Sequence, residues 1–574
     1  MYNLLENVSE ILKKYWGYDE FRPQQLAVIH AVLEGKDVLT LLPTGAGKSL
    51  CFQIPTLYQK GICVIISPLI ALMQDQVKDL THKKIAAIQI GGQLSNEEES
   101  LIMKDAIAGK YSFIYCSPEK LAQSNFQDFL KQLSITLFAI DEAHCISQWG
   151  YDFRPSYRKL NVIKKLFPAV PVLAMTASAI PMVQTDMLKQ LALKDARIIT
   201  DSFLRPHLKY SVQRVAVKLH TLRSLLNKVT GSVIIYCNTR NNVSQLTQLL
   251  KAYQYKVGEY HAGLPLETRQ HTQEQWMQDK IQIVVSTSAF GMGINKPGVR
   301  AVIHYEIPGS IEQYYQEAGR AGRDGQPAEA ILLYQPNDWD YWLSVQEKKF
   351  PSIEMIKQVF QFLVDYVQLP MGLGEKQQFL FDFDIFCTRF ELDKMITRNA
   401  LQWIEQEGHV KFSAASFKPS LVHVYADRFT IENFEQQNQI LGIVLQTLLR
   451  SYGGILDSPQ YINENVLATV LQRDIYFVQT SLKKLQEYGL LSYEQKENQP
   501  VVQFNWNRAS ASFMKLDLDN YTLRKKAFQE RIQQFCRYIT GQGLDCRSVF
   551  LAQYFGENNP HSCKICDLCT STKK

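Results

Sequence analysis

Nine short apolar runs fix the class of fold open to this chain. They are DVLTLLP (37–43), ICVIISP (62–68), FIYCSP (113–118), LFAIDE (137–142), PVLAMTAS (171–178), SVIIYCN (232–238), QIVVSTS (282–288), AVIHYEIP (301–308) and AILLYQP (330–336). Each is continuously apolar rather than alternating, and helical patterns separate them. A strand covered on both faces by helices reads this way, which is the signature of a parallel sheet. Nine runs over this length fit two sheets better than one. The natural cut is the turn-rich segment DSFLRPHLKYSV (201–212). The expectation is an α/β chain with two parallel-sheet lobes, residues 1–205 and 206–340.

Beyond residue 340 helical patterns dominate. ALQWIEQEGHVKF (400–412) and SLKKLQEYGLLSY (481–493) share their apolar spacing and place Gly408 and Gly489 alike. Each reads as a helix, a glycine C-cap and a strand. That outline suits a winged helix met twice, over 341–430 and 431–510, and it also suits two unrelated helix–strand corners. VHVYADRF (422–429) and VVQFNWN (501–507) are candidate wing strands.

The 574 residues are too many for one core, and roughly three to five domains are expected. With 46% apolar and 21% charged residues the composition is that of an ordinary soluble protein. The net charge of +6 permits a nucleic-acid partner without requiring one. No apolar run reaches the roughly 20 residues that span a bilayer, so no membrane partner is expected. The N-terminal stretch lacks a signal peptide's basic start and apolar core, which makes the cytoplasm the expected location, with the nucleoid if the source is bacterial. Seven of the eleven cysteines are scattered, mostly in apolar stretches, as buried reduced thiols are.

Three motifs carry phosphate chemistry. LLPTGAGKS (41–49) follows an apolar run and opens a helical pattern. Backbone N–H groups of Thr44, Gly45, Ala46 and Gly47, with the positive end of the following helix, can surround phosphate oxygens. Lys48 would reach the β- and γ-phosphates and Ser49 would bind Mg²⁺. The strict pattern asks for glycine at position 42, where this chain has Leu42. LFAIDEAH ends in an acid pair: Asp141 would hold Mg²⁺ and Glu142 would position and activate a water. QEAGRAGRDG (316–325) sets Gln316, Arg320 and Arg323 on one helical periodicity, and arginine can stabilise charge developing on a γ-phosphate. Upstream, GYDEFRPQQ (17–25) offers Tyr18 to stack on a purine, with Arg22 beside it and Gln25 for the adenine edge, and on its residues alone it also reads as an ordinary capped helix start. ATP and Mg²⁺ are therefore expected.

At the other end stand Cys546, Cys563, Cys566 and Cys569. Four thiolates at this spacing read as a tetrahedral structural Zn²⁺ site. An iron–sulfur cluster also uses four cysteines, and His561 lies close in sequence. The helical pattern YTLRKKAFQERIQQFCRYI precedes them, giving a zinc-binding module over 511–574.

In this order the motifs resemble superfamily 2 helicases with a DEAH-type box, and most closely the RecQ family of ATP-dependent DNA helicases. The matching pieces, from GYDEFRPQQ through IDEAHCISQWGYDFRPSYRKL to IEQYYQEAGRAGRDG, cover residues 15 to about 335. The stretch after the acid pair is the most specific, and in that family it is an aromatic-rich loop coupling DNA contact to ATP hydrolysis. The resemblance implies that Trp149 and Phe153 stack unpaired bases, each worth roughly 1–3 kcal/mol. It further implies a phosphate or cation–π contact from Arg154, with His144 and Gln148 as the link to the acids. Ser67 with Pro68, Ser117, Thr176, Thr239, and Thr287 with Ser288 sit at strand ends in matching motifs, as candidates for phosphate contact or lobe coupling. The cysteine segment resembles the RecQ zinc module. Implied too are 3′ to 5′ movement on single-stranded DNA, duplex unwinding in repair or recombination, and a monomer meeting single-stranded and partly duplex DNA and single-strand-binding or repair proteins. The chain departs from the family's usual layout: its zinc module comes last, after about 200 intervening residues. A DNA-stimulated translocase that remodels protein–DNA complexes without separating strands is the alternative.

Overall fold

The computed structural model describes residues 2–91, 96–147, 149, 154–291, 296–413, 420–452, 454–456, 458–462, 464–494, 500–508, 514 and 516–571. The chain divides into two compact units, residues 1–346 with 519–574, and residues 347–518.

The first unit holds two sheets. Strands β1 (Val38–Leu41), β2 (Ile62–Ile66), β3 (Ala87–Gln89), β4 (Phe113–Cys116), β5 (Ile135–Ile140), β6 (Val172–Thr176) and β7 (Arg197–Thr200) form one, in the order β3-β4-β2-β5-β6-β1-β7. Strands β8 (Leu208–Arg214), β9 (Ser232–Tyr236), β10 (Val257–Tyr260), β11 (Ile283–Ser286), β12 (Val299–His304) and β13 (Ala328–Tyr334) form the other, in the order β10-β11-β9-β12-β13-β8. Neighbours in both run parallel. The nine apolar runs are the nine interior strands. β3, β7, β8 and β10 are the four edges, and lacked a continuous apolar run because one flank is unpaired and partly wet: β7 is largely exposed while β1 beside it is wholly buried.

The zinc module belongs to this unit although residues 347–518, the whole second unit, intervene in the sequence. Its long helix, Leu518–Thr540, sends Phe535 and Tyr538 against Tyr314, and the Tyr538 and Tyr314 hydroxyls lie 3.1 Å apart. Phe555 stacks on Phe203, between the two sheets in sequence, and packs on Tyr315. Glu557 accepts from the Ser202 hydroxyl and the Phe203 amide, each at 2.8 Å. The module therefore grips the inter-lobe segment through both packing and charge-assisted hydrogen bonds.

In the second unit, β14 (Gln378–Leu380), β15 (Val410–Ser413) and β19 (Val501–Phe504) form an antiparallel sheet in the order β14-β19-β15. β16 (Ser420–Val424), β17 (Gln460–Ile462) and β18 (Leu491–Glu494) form another, in the order β17-β16-β18. Both helix–glycine–strand corners are present: Gly408 and Gly489 end their helices at φ 78° and 71°, where a side chain would be strained. The expected boundary at residue 430 is corrected. β16 pairs with β18, so 420–424 belongs with the second winged-helix-like element, while β19 pairs with β15 and belongs with the first. Each strand follows the sheet that buries it: Val422 and Val424 enter a core with Val444, Leu448, Val478 and Leu482. The second element is thus nested inside the first, between two of its paired strands.

Candidate nucleotide and nucleic-acid site

The phosphate loop links β1 to the helix Leu50–Gln59, whose N-terminus faces it. Gly45 and Gly47 take φ 83° and 75°, a conformation glycine adopts without strain. Lys48 donates to the Leu42 carbonyl at 3.2 Å. Burial lowers its pKa, while Glu142 and Asp141 oppose the shift. Gln25 is buried, and its amide donates to the carbonyls of Ala46 at 2.8 Å and Gly47 at 3.3 Å while its oxygen accepts from the Arg22 amide. Here Gln25 grips the loop itself. Tyr18 is exposed.

Asp141 and Glu142 follow β5. The Asp141 carboxyl accepts from the Glu142 amide at 3.0 Å, and the Tyr157 hydroxyl donates to the Asp141 carbonyl. Burial first, then the Glu142 charge, pushes Asp141 up to about 6. A buried carboxylate beside another is what a divalent cation would stabilise. Glu142 is left-handed at φ 47°, an unusual state for this residue type.

The second lobe brings arginines to this loop. A Cβ placed on Gly45 would lie 3.0 Å from the Cγ of Arg323. Burial, then the guanidiniums of Arg320 and Arg205, lower the Arg323 pKa to about 9. A guanidinium keeps its proton regardless, so the site holds clustered positive charge at a cost that phosphate oxygens would relieve. Arg320 is buried and donates to the Gly291 carbonyl. Gln316 donates to the Ser178 hydroxyl across the lobes at 3.1 Å. Arg205 reaches the carbonyls of Thr44, Gly319 and Ala321 at 3.4, 3.2 and 3.2 Å. Sequence reasoning missed Arg205 because a single arginine in a turn-rich segment carries no pattern.

A chain of contacts leaves the acid pair. His144 Nδ1 lies 3.3 Å from Glu142 Oε2 and 2.9 Å from Thr176 Oγ1. Ser147 donates to Asp186 at 2.6 Å and accepts from the Trp149 amide at 3.2 Å. The Trp149 carbonyl accepts from Arg531 of the long zinc-module helix at 2.6 Å. Arg154 donates to the Pro68 carbonyl at 3.1 Å. Gln148 and Phe153 lie outside the described residues. Ser67 is buried beside β2. Ser117 and Thr239 cap helices, accepting from Lys120 and Asn242, and the Thr287 hydroxyl accepts from the Ala289 amide. Thr239 thus has a local structural role here, and Thr287 is engaged within its own turn.

The sulfur atoms of Cys546, Cys563, Cys566 and Cys569 lie within 4.8 Å of one another. Amides of Arg547, Cys563 and Cys566 point at these sulfurs from 3.4–3.5 Å, as donors that stabilise thiolates. The spacing and all-thiolate set fit one tetrahedral Zn²⁺ with bonds near 2.3 Å. His561 is exposed and no member of the cluster.

Comparison with known proteins agrees with this geometry. The DEAD/DEAH box helicase family matches residues 22–186 and the helicase conserved C-terminal domain matches 217–325. The RecQ helicase winged-helix domain of Bacteroidota matches 422–495, and the RecQ zinc-binding domain matches 509–570. The chain is similar to the RecQ helicase family. The winged-helix match falls on the nested element alone. An ATP-dependent DNA helicase RecQ of Haemophilus influenzae is 43% identical over 334 residues, covering 58% of this chain and 54% of that protein. One of Bacillus subtilis is 40% identical over 338 residues, covering 58% and 57%. A putative ATP-dependent RNA helicase of Acanthamoeba polyphaga mimivirus is 43% identical over 340 residues, covering 58% and 61%. The chain thus spans little more than half the length of these relatives.

Proposed function

We propose that this protein is a RecQ-type ATP- and Mg²⁺-dependent DNA helicase that moves 3′ to 5′ on single-stranded DNA and unwinds duplexes in repair or recombination. The observation that carries the reading is the approach of Arg323 to Gly45, which puts a second-lobe cation on the first lobe's phosphate loop. Lys48, Arg320 and Arg323 would neutralise the nucleotide's phosphates, and Glu142 would orient the attacking water. Asp141 and Ser49 would hold Mg²⁺, which supplies charge neutralisation and in-line geometry for phosphoryl transfer. Gln316 and Arg205 tie nucleotide-dependent movement of one lobe to the other. Single-stranded and partly duplex DNA, approached by a monomer, is the proposed partner, with single-strand-binding or repair proteins beside it. The cytoplasm, or the nucleoid, is the proposed location.

A DNA-stimulated translocase that remodels protein–DNA complexes without separating strands is favoured by one observation. The paired strands β15 and β19 are joined by residues 414–500, a whole folded element in place of a short wing hairpin. Strand displacement on duplexes with a 3′ or a 5′ tail, run beside ATP hydrolysis with and without DNA, decides between them. Displacement of the 3′-tailed duplex alone supports the helicase. DNA-stimulated hydrolysis without displacement supports the translocase.

A further inference from the structure

We infer that Arg531, on the long helix of the zinc module, is a positioning residue that holds Trp149 in register with the acid pair, so that DNA stimulation of ATP hydrolysis depends on the zinc module. The inference rests on the function proposed above. Both backbone polar groups of Trp149 are held, and by different parts of the molecule. Its amide donates to Ser147, which is itself anchored on Asp186 of the helix Pro181–Gln190. Its carbonyl accepts from Arg531, 382 positions later in the chain. From Ser147 the chain runs on, because the Ser147 amide donates to the His144 carbonyl at 3.2 Å and His144 faces Glu142 and Thr176. Arg531 therefore stands at one end of a continuous set of contacts with Glu142 at the other.

The indole of Trp149 is half-buried, and it lines an open groove of about 600 Å³ between the two helices, with Met182, Lys189, Leu523 and Lys526. The groove thus has apolar surface from both the first lobe and the zinc module, and each side adds one lysine and one carboxylate, Lys189 with Asp186 and Lys526 with Glu530. A carbonyl held by a guanidinium is a charge-assisted contact, stronger than a neutral one and directional. Releasing it frees the Trp149 segment without touching any group placed around the nucleotide.

The test measures basal and single-stranded-DNA-stimulated ATP hydrolysis of the full chain, with zinc content and melting temperature, for wild type, R531A and R531K. R531A is expected to keep its zinc and a basal rate within about twofold, and to need roughly tenfold more DNA for half-maximal stimulation or to lose most of the stimulation. R531K, which retains a charged donor, should recover part of it. R531M, which keeps the apolar stem without a donor, carries the test if the alanine variant loses its zinc. Wild-type stimulation in R531A or R531M overturns the inference. So does an equal fall in basal and stimulated rates, which is what a purely stabilising contact would give. A wild-type enzyme that DNA does not stimulate overturns the proposed function, and this inference with it.

Discussion

Gln316 of the second lobe donates a 3.1 Å hydrogen bond to the hydroxyl of Ser178, which follows β6 of the first. Ser178 in turn donates its amide to Thr176, the residue His144 contacts. Replacing Gln316 or Ser178 with Ala should lower DNA-stimulated turnover roughly five- to tenfold, as loss of one hydrogen bond does. The double variant should fall no further than either single one. Steady-state hydrolysis at saturating ATP reads this directly, and additive losses would show that the two residues act separately.

Glu142 to Gln keeps the shape of the side chain and removes its basicity. Turnover should drop by roughly 10²–10⁴ while nucleotide binding survives. A fluorescent ATP analogue measured beside hydrolysis separates the two effects. Unchanged hydrolysis would remove Glu142 from the water-positioning role.

Gly45 to Ala should damage the site in two ways. Its φ of 83° disfavours any side chain, and the new methyl group would press on Arg323. ATP affinity should fall at least tenfold with the melting temperature nearly unchanged, because the loop lies in the cleft and not in the core. The complementary pair G45A and R323A would show whether the clash or the backbone dominates.

A strong chelator, or Cys566 to Ser, should release about one zinc per chain. The first unit should then melt earlier, because the module holds Ser202 and Phe203 through Glu557 and packs Phe555 on Phe203. The second unit, which has its own core, should melt as before. Metal analysis and calorimetry on one sample check both.

Ser413 and Val501 face each other at the end of the β15–β19 ladder. Replacing residues 414–500 with an Asn-Gly turn should therefore close a hairpin and leave the outer winged-helix-like element folded. Circular dichroism checks the fold. Strand displacement by the shortened chain tells whether the nested element takes part in unwinding.

The sequence by itself determined the parts of this protein whose signals are local. An interior strand must be apolar on both faces, so nine interior strands were visible as runs, and edge strands such as Arg197–Thr200 were not, because one flank is open to water. A phosphate loop, an acid pair and four cysteines are each written in a few adjacent positions, since the chemistry needs those atoms close together. Gly408 and Gly489 were legible because only glycine ends a helix there without strain. Tertiary structure decided what depends on residues distant in the chain. It put Arg205 between Thr44 and Gly319, Gln25 on the phosphate loop, and Arg531 on Trp149. It returned the zinc module to the two-lobed unit and nested one winged-helix-like element between the paired strands of another. Periodicity records which face of a strand is buried, and says nothing of which strand lies beside it. That choice is made by the cores that Val422 and Val502 complete, each in its own sheet.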